Sequence, residues 1–303
     1  GGGGQPSASR MAKLGDGEAA RRARIEQAKL VLKDIKASHA QPYPHLRKLQ
    51  HNLPPEQREK VVEFIAEVCE GFGHSAQTAG LSVTYFDRYC SKMPYNSPSF
   101  LGFELAATAC IFIAAKFLET RVPALDELCG LSSTARTRRT LKTAELRVLK
   151  ELGWDLHAIT PHVVLEQLLV IVDASSACQK RAEFLVDMSF YEHKILEYSP
   201  VAVAAAALLL SWNHVGDTLS ESKHTEIIAK LCDVDLSVLF RCKHILAEHF
   251  NIVFTQSLAA ANALKPTCES PVSIFDDLAM AGRPDGARFA FAPVAAPAMG
   301  ETN

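Results

Sequence analysis

The sequence predicts an all-α protein built as two five-helix units in tandem. Three observations carry that expectation. Apolar residues recur at helical spacing from about Pro54 to Phe250. Strand-type alternation is absent over the same span. Two nearly continuous apolar segments, Phe103–Phe117 and Val201–Val215, hold equivalent places in a repeated order of helices. An amphipathic helix precedes each, and a short helix and then a longer one follow. Chance self-similarity among helical chains is the competing explanation.

The elements follow in order. Residues 1–16 are glycine-rich and polar and carry no core pattern, so disorder is expected there. Gly17–Ser38 reads as a charged, moderately amphipathic helix. Pro54-Pro55 opens the next helix, because proline is tolerated in a first turn, and it runs to Gly71. Helices are then expected over Ser75–Ser91, Ser99–Leu118, Ala124–Cys129 and Thr134–Leu152. After Thr160-Pro161 the pattern resumes over Pro161–Val172, Ala177–Leu196, Pro200–His214, Ser222–Leu231 and Asp235–Phe250. Disorder is expected again in the Ala- and Pro-rich end. The expected organisation is therefore a tail and flanking helix (1–40), a first helical unit (41–158), a second (159–254) and a C-terminal tail (255–303).

Composition narrows the function. The 303 residues carry 32 Lys and Arg against 34 Asp and Glu, a formal net charge of -2. That balance lacks the field on which non-specific nucleic-acid and membrane-surface binders rely, so neither partner is expected. Eight cysteines include no CxxC pair, which argues against a zinc ribbon or disulfide scaffold and fits reduced thiols. The longest apolar stretches, Leu105–Ala115 and Val201–Leu210, are too short to cross a bilayer, and no signal-peptide core is seen. Eleven histidines show no HExxH or other ligand spacing, and no phosphate-binding or nucleophile-elbow motif occurs. No catalytic residues, metal or cofactor are expected.

Four charges sit where apolar residues should be. Lys116 ends the stripe Leu105, Ala109, Phe112 and Ile113; Glu145 lies within the stripe Leu141, Val148, Leu149 and Leu152. Such charges either find a partner, each other or another protein, or lie at the rim with the head in water. Arg58 shares a face with Val61, Val62 and Ile65, and Asp87 lies between Val83 and Cys90 at helical spacing. Those two either form an orienting Arg–carboxylate bridge or are unrelated surface charges.

With these residues in view, the chain resembles a cyclin, and the D-type cyclins more closely than others. The likeness covers about Leu53 to Phe250. Gln57-Arg58 through Glu67-Val68-Cys69-Glu70 resembles the first cyclin-box helix. Tyr85-Phe86-Asp87-Arg88-Tyr89 is similar to the family's Y-[IL]-D-R-F, and Ala114-Ala115-Lys116-Phe117-Leu118-Glu119-Thr120 to A-[AS]-K-x-x-E-T. Glu127-Leu128-Cys129 and Thr160-Pro161-His162 look like their D-type counterparts. Glu145 with Leu149, then Leu152-Gly153-Trp154-Asp155-Leu156, follows the family's ending, and Tyr198-Ser199-Pro200 leads into the second-box helix as in other members. Their order and spacing together make the likeness specific.

The resemblance implies two cyclin boxes, no catalytic activity, and a role in binding and activating a cyclin-dependent Ser/Thr kinase in G1-type cell-cycle control. It implies that Lys116 donates to kinase backbone carbonyls and Glu145 accepts from kinase backbone N–H groups, with apolar contact at Phe112, Phe117 and Leu149. It implies an internal Arg58–Asp87 bridge. A groove that holds substrates or inhibitors falls on Gln57, Val61, Phe64, Glu67, Phe103 and Glu104. Phe64 stands there in place of the usual Trp, and Gln57 and Lys60 replace common apolar residues. No LxCxE segment is present, and the one RxxL, Arg138–Leu141, falls inside a helix. The location expected is nucleus and cytoplasm. Arg136, Arg138, Arg139 and Lys142 cluster at a helix start, where their charge opposes the helix dipole; an acidic partner and a solvated turn both account for them. Ser270, followed by Pro271, is a candidate phosphorylation site. The other functions the fold allows are a cyclin-fold transcription factor and a peptide-binding adaptor without a kinase.

Overall fold

A computed structural model of the chain describes residues 8–39, 49, 52–131, 137–215 and 218–264. Ser270 and Arg136 lie outside them. The described residues hold eleven α-helices and no strand: α1 (Ala8–His39), α2 (Pro55–Gly71), α3 (Ala76–Lys92), α4 (Phe103–Leu118), α5 (Leu125–Cys129), α6 (Arg138–Leu152), α7 (Pro161–Val172), α8 (Ser176–Ser189), α9 (Pro200–Val215), α10 (Thr218–Cys232) and α11 (Leu236–Leu264). Two compact units are distinguished, Gly1–His249 and Phe250–Asn303. In the second, residues 250–264 are helical, and Thr255 Oγ1 donates to the Asn251 carbonyl at 2.6 Å.

Local chemistry sets the helix ends. Ser75, Thr137 and Ser175 each precede a helix and accept a backbone N–H, from Thr78, Thr140 and Cys178 respectively. Pro55 and Pro161 stand in first turns, where no N–H is needed. Gly153 ends α6 at φ 70°, the left-handed cap that glycine adopts without strain.

Within Gly1–His249 the helices form two groups, each wrapped around one buried helix. In the first, α4 packs against α2, α3 and α6, and every residue from Leu105 to Ala115 is buried. In the second, α9 packs against α7, α8 and α10, and every residue from Val201 to Trp212 is buried. The small side chains of Ala106, Ala107, Ala109 and Ala114, and of Ala202 and Ala204–Ala207, let neighbouring helices approach closely from all sides. The two apolar segments of the sequence are thus the paired centres of a repeated arrangement. The flanking helix α1 packs on α7, and Lys36 Nζ donates to the Leu231 carbonyl at 2.7 Å.

Several boundaries differ from the sequence expectation. The first helix starts at Ala8 rather than Gly17, because Ala, Met, Lys and Leu extend a formed helix at little cost despite Gly15. The last helix does not stop near Phe250: the run to Leu264 lacks proline and is rich in Ala and Leu, so residues 255–264 of the expected tail are helical. The fourth helix starts at Phe103, after Gly102 at φ 81°, not at Ser99. The expected Ala177–Leu196 helix is two pieces, α8 and a 3-10 turn over His193–Glu197 that is capped by the Glu192 carboxylate.

These two helix groups, both within Gly1–His249, meet through α3 and α7. Gly80 makes this possible: a Cβ there would lie 2.8 Å from Phe190 Cζ and 3.0 Å from His162 Nδ1. Phe190 and His162 stack with ring centres 5.5 Å apart, and His162 Nε2 is 2.8 Å from Asp187 Oδ1.

Candidate functional site

Lys116 is the last charged residue of α4 and Glu145 lies midway along α6. Because α4 and α6 pack together, the two side chains meet and form an ion pair at the open edge of the first unit. Lys116 also sits 4.1 Å above the Phe112 ring, a cation–π contact. The Lys116 side chain is 39% exposed and that of Glu145 16%. Of the two outcomes open from sequence, the charges have found each other, and they remain within reach of a partner.

The apolar residues expected beside them separate. Phe112 and Leu149 belong to the core, 8% and 9% exposed. Phe117 is 53% exposed, with Leu118 beside it. Phe112 and Leu149 therefore back the pair from inside, and Phe117 is the member of the set that faces solvent. Leu146, next to Glu145 in the chain, is also exposed and is not among the expected residues; one step along the helix turns it away from Glu145 and onto the side of Arg139, Lys142 and Thr143.

Arg58 and Asp87 form the expected bridge, and both are buried. The six groove residues differ in kind. Val61 is buried in the core, while Phe64 and Phe103 are half-buried and packed against it. Phe103 joins an aromatic group with Phe86, Tyr95 and Phe100. Gln57 and Glu67 are half-buried, and Glu104 is exposed. Within the basic cluster, Arg138 is paired with Asp126, which neutralises one of its charges. Arg139, Lys142, Thr143 and Leu146 line an open cleft with it, of about 490 Å3.

Two further tethers were not read from the sequence. Glu119 Oε1 accepts from Ser75 N, Ser75 Oγ and Thr78 Oγ1, at 2.9, 3.0 and 2.6 Å. These bonds, with that from Thr78 the strongest, hold its carboxyl below the usual carboxylate range. Arg88 pairs with Asp155 at 3.1 Å, and Tyr85 Oη donates to the Leu156 carbonyl at 2.7 Å, so the chain after α6 is fastened to α3. Partners some 40 to 70 residues apart leave no signal in helical spacing.

Among the described residues no group of three or more His, Cys, Asp or Glu side chains could hold a metal ion, and no helix is long and apolar enough to cross a membrane.

Comparison with known proteins places this architecture. Residues 30–157 match the description "Cyclin, N-terminal domain", and residues 159–270 match "Cyclin, C-terminal domain". G1/S-specific cyclin-D2 of Mus musculus is 27% identical over 204 residues, 64% of this chain and 70% of that protein. G1/S-specific cyclin-D2 of Xenopus laevis is 25% identical over 285 residues, 89% of this chain and 95% of that one. Cyclin-A1-4 of Oryza sativa subsp. japonica is 28% identical over 171 residues, and the match spans 46% of that relative. Among solved structures, a viral cyclin from herpesvirus saimiri superposes with a TM-score of 0.62 at 19% identity, covering 72% of this chain and 96% of that one. The yeast RNA polymerase II CTD kinase complex CTDK-1 contains a chain of TM-score 0.56 at 13% identity, with 77% and 86% covered. Both share the fold. The two matched spans take in nearly all of the helical chain, which belongs to the cyclin family.

Proposed function

We propose that the chain is the regulatory subunit of a cyclin-dependent Ser/Thr kinase, which it binds and activates in G1-type control. The observation that carries this reading is the Lys116–Glu145 pair, lying at the solvent edge of α4 and α6 with exposed Phe117 next to Lys116 in the chain. The relatives named as G1/S-specific cyclins support the G1 assignment.

The pair is a binding device held in a resting form. In the free chain each charge answers the other. At a kinase surface, backbone carbonyls replace Glu145 as acceptors for Lys116, and backbone N–H groups replace Lys116 as donors to Glu145. Charge-assisted hydrogen bonds to peptide groups contribute about 1.5–3 kcal/mol each. Phe117 adds apolar area as it leaves water.

Activation follows from selective affinity. A kinase alone has its catalytic Lys–Glu pair broken. A rigid helical surface that fits only the assembled arrangement shifts the population toward it. A shift from almost all inactive to almost all active takes about 5.5 kcal/mol of differential affinity. The chain itself performs no chemistry in this reading. It acts in nucleus and cytoplasm, the Gln57–Glu104 groove serves substrates or inhibitors, and Ser270 is a regulatory phosphorylation site.

Co-expression with a panel of cyclin-dependent kinases tests the reading. At least one kinase should co-purify with the chain and phosphorylate a Ser-Pro peptide far faster than the kinase alone. A panel with no stable complex and no activation contradicts it.

A further inference from the structure

Glu119 stands at the point where the chain leaves α4, at φ -95° and ψ 144°, and its N–H still donates to the Ala115 carbonyl at 2.8 Å. One oxygen of its carboxylate collects three donors from the start of α3: the Ser75 N–H, the Ser75 hydroxyl and the Thr78 hydroxyl. Ser75 also caps α3 by accepting from Thr78 N at 3.3 Å. The carboxylate thus ties the end of α4 to the beginning of α3. The charge is well placed, because a helix N-terminus favours an anion.

The segment that follows is fastened at its other end too. Pro123 is buried, and Ala124 N donates to Glu127 Oε2 at 2.7 Å. Lys116 and Phe117 lie within one turn upstream of the Glu119 tie, and Thr120, Arg121 and Val122 are exposed downstream of it. The last turn of a helix frays when its end is not fastened. Here that turn carries the Lys116 ammonium.

We propose that Glu119 is a positioning residue for kinase binding: by latching the end of α4 onto Ser75 and Thr78, it holds Lys116 and Phe117 in the geometry the kinase meets. The inference rests on the kinase-binding reading. The latch raises affinity by ordering the surface in advance, so that less freedom is lost on association.

The test compares Glu119→Ala, Glu119→Gln and Thr78→Val for affinity to an activated kinase partner. Glu119→Ala is expected to weaken binding about tenfold, the cost of ordering one or two side chains on association. Glu119→Gln keeps a carbonyl oxygen that accepts from the same donors and should restore most of the affinity. Thr78→Val removes one donor from the far side of the latch and should also weaken binding. In a Lys116→Ala background the Glu119→Ala loss should shrink, because only Phe117 is left to position. A full, additive loss there, or Glu119→Ala and Thr78→Val both binding like the parent, overturns the proposal. Hydrogen exchange of the free chain supplies a readout that needs no kinase: amides 116–119 should exchange faster in Glu119→Ala, and unchanged exchange refutes the latch. A parent chain that binds no kinase refutes the functional reading, and exchange still decides the latch.

Discussion

Arg58 and Asp87 are joined at two points, Nε to Oδ1 at 3.0 Å and Nη2 to Oδ2 at 2.9 Å, with side chains 2% and 4% exposed. The remaining guanidinium nitrogen donates to the Phe190 carbonyl at 2.7 Å. One side chain thus grips α3 from α2 and reaches the second helical unit. Arginine is suited to the task, since its planar fork serves a carboxylate and a third acceptor at once.

Arg58→Ala leaves the Asp87 carboxylate buried without its cation. Breaking a buried pair in this way costs about 3–5 kcal/mol. Chemical denaturation should show the loss, and Arg58→Lys should not recover it, because an ammonium cannot make the two-point contact. A variant that unfolds at the parent's midpoint contradicts the bridge's structural role.

Gly80 sits inside α3, where alanine ordinarily stabilises by roughly 0.5–1 kcal/mol. Contact with Phe190 and His162 reverses the sign. Overpacking costs about 1–3 kcal/mol, so Gly80→Ala should destabilise by about 1 kcal/mol net. Thermal melting of the variant checks this, and a raised melting temperature refutes the close approach.

Stability should fall with acid. Burial lowers the imidazole values of His74, His193 and His249 below the ordinary 6.5; the Arg58 charge adds to the effect at His193, and Asp87, Glu192 and Glu197 oppose it. Glu192 and Glu59 oppose it at His249, and Glu119 at His74. Below about 6.5 the unfolded chain therefore takes up protons before the folded chain does, and stability declines until the folded values are passed. The depressed Glu119 carboxyl acts in the same direction at lower pH: its contribution is present above 4.5 and is lost as pH falls through the folded value. Urea unfolding at pH 7.5 and 5.5 should give the lower midpoint at 5.5. Equal midpoints contradict the assignment.

The sequence makes the core and the pair legible for one reason. Leu105–Ala115 and Val201–Leu210 are apolar all round, and Lys116 and Glu145 interrupt stripes whose period is known. Bonds between distant partners have no such period. The Glu119–Ser75 and Arg88–Asp155 contacts depend on how helices cross. Phe112 and Phe117 look alike in sequence, yet one is core and the other surface, because α4 emerges from its neighbours between them. Composition hides the helix ends at Ala8 and Leu264, because extending a formed helix costs little even where the sequence carries no core pattern.

The central claim concerns Lys116 and Glu145, and kinase binding by Lys116→Ala, Glu145→Ala and the double variant tests it most directly. Partly exposed pairs of this kind contribute about 0–1 kcal/mol to folding, so the free variants should melt close to the parent. The double variant should bind the kinase about two to four decades more weakly, the equivalent of two lost charge-assisted bonds, and should fail to activate it at concentrations where the parent does. A well-folded double variant that activates the kinase fully would contradict the account.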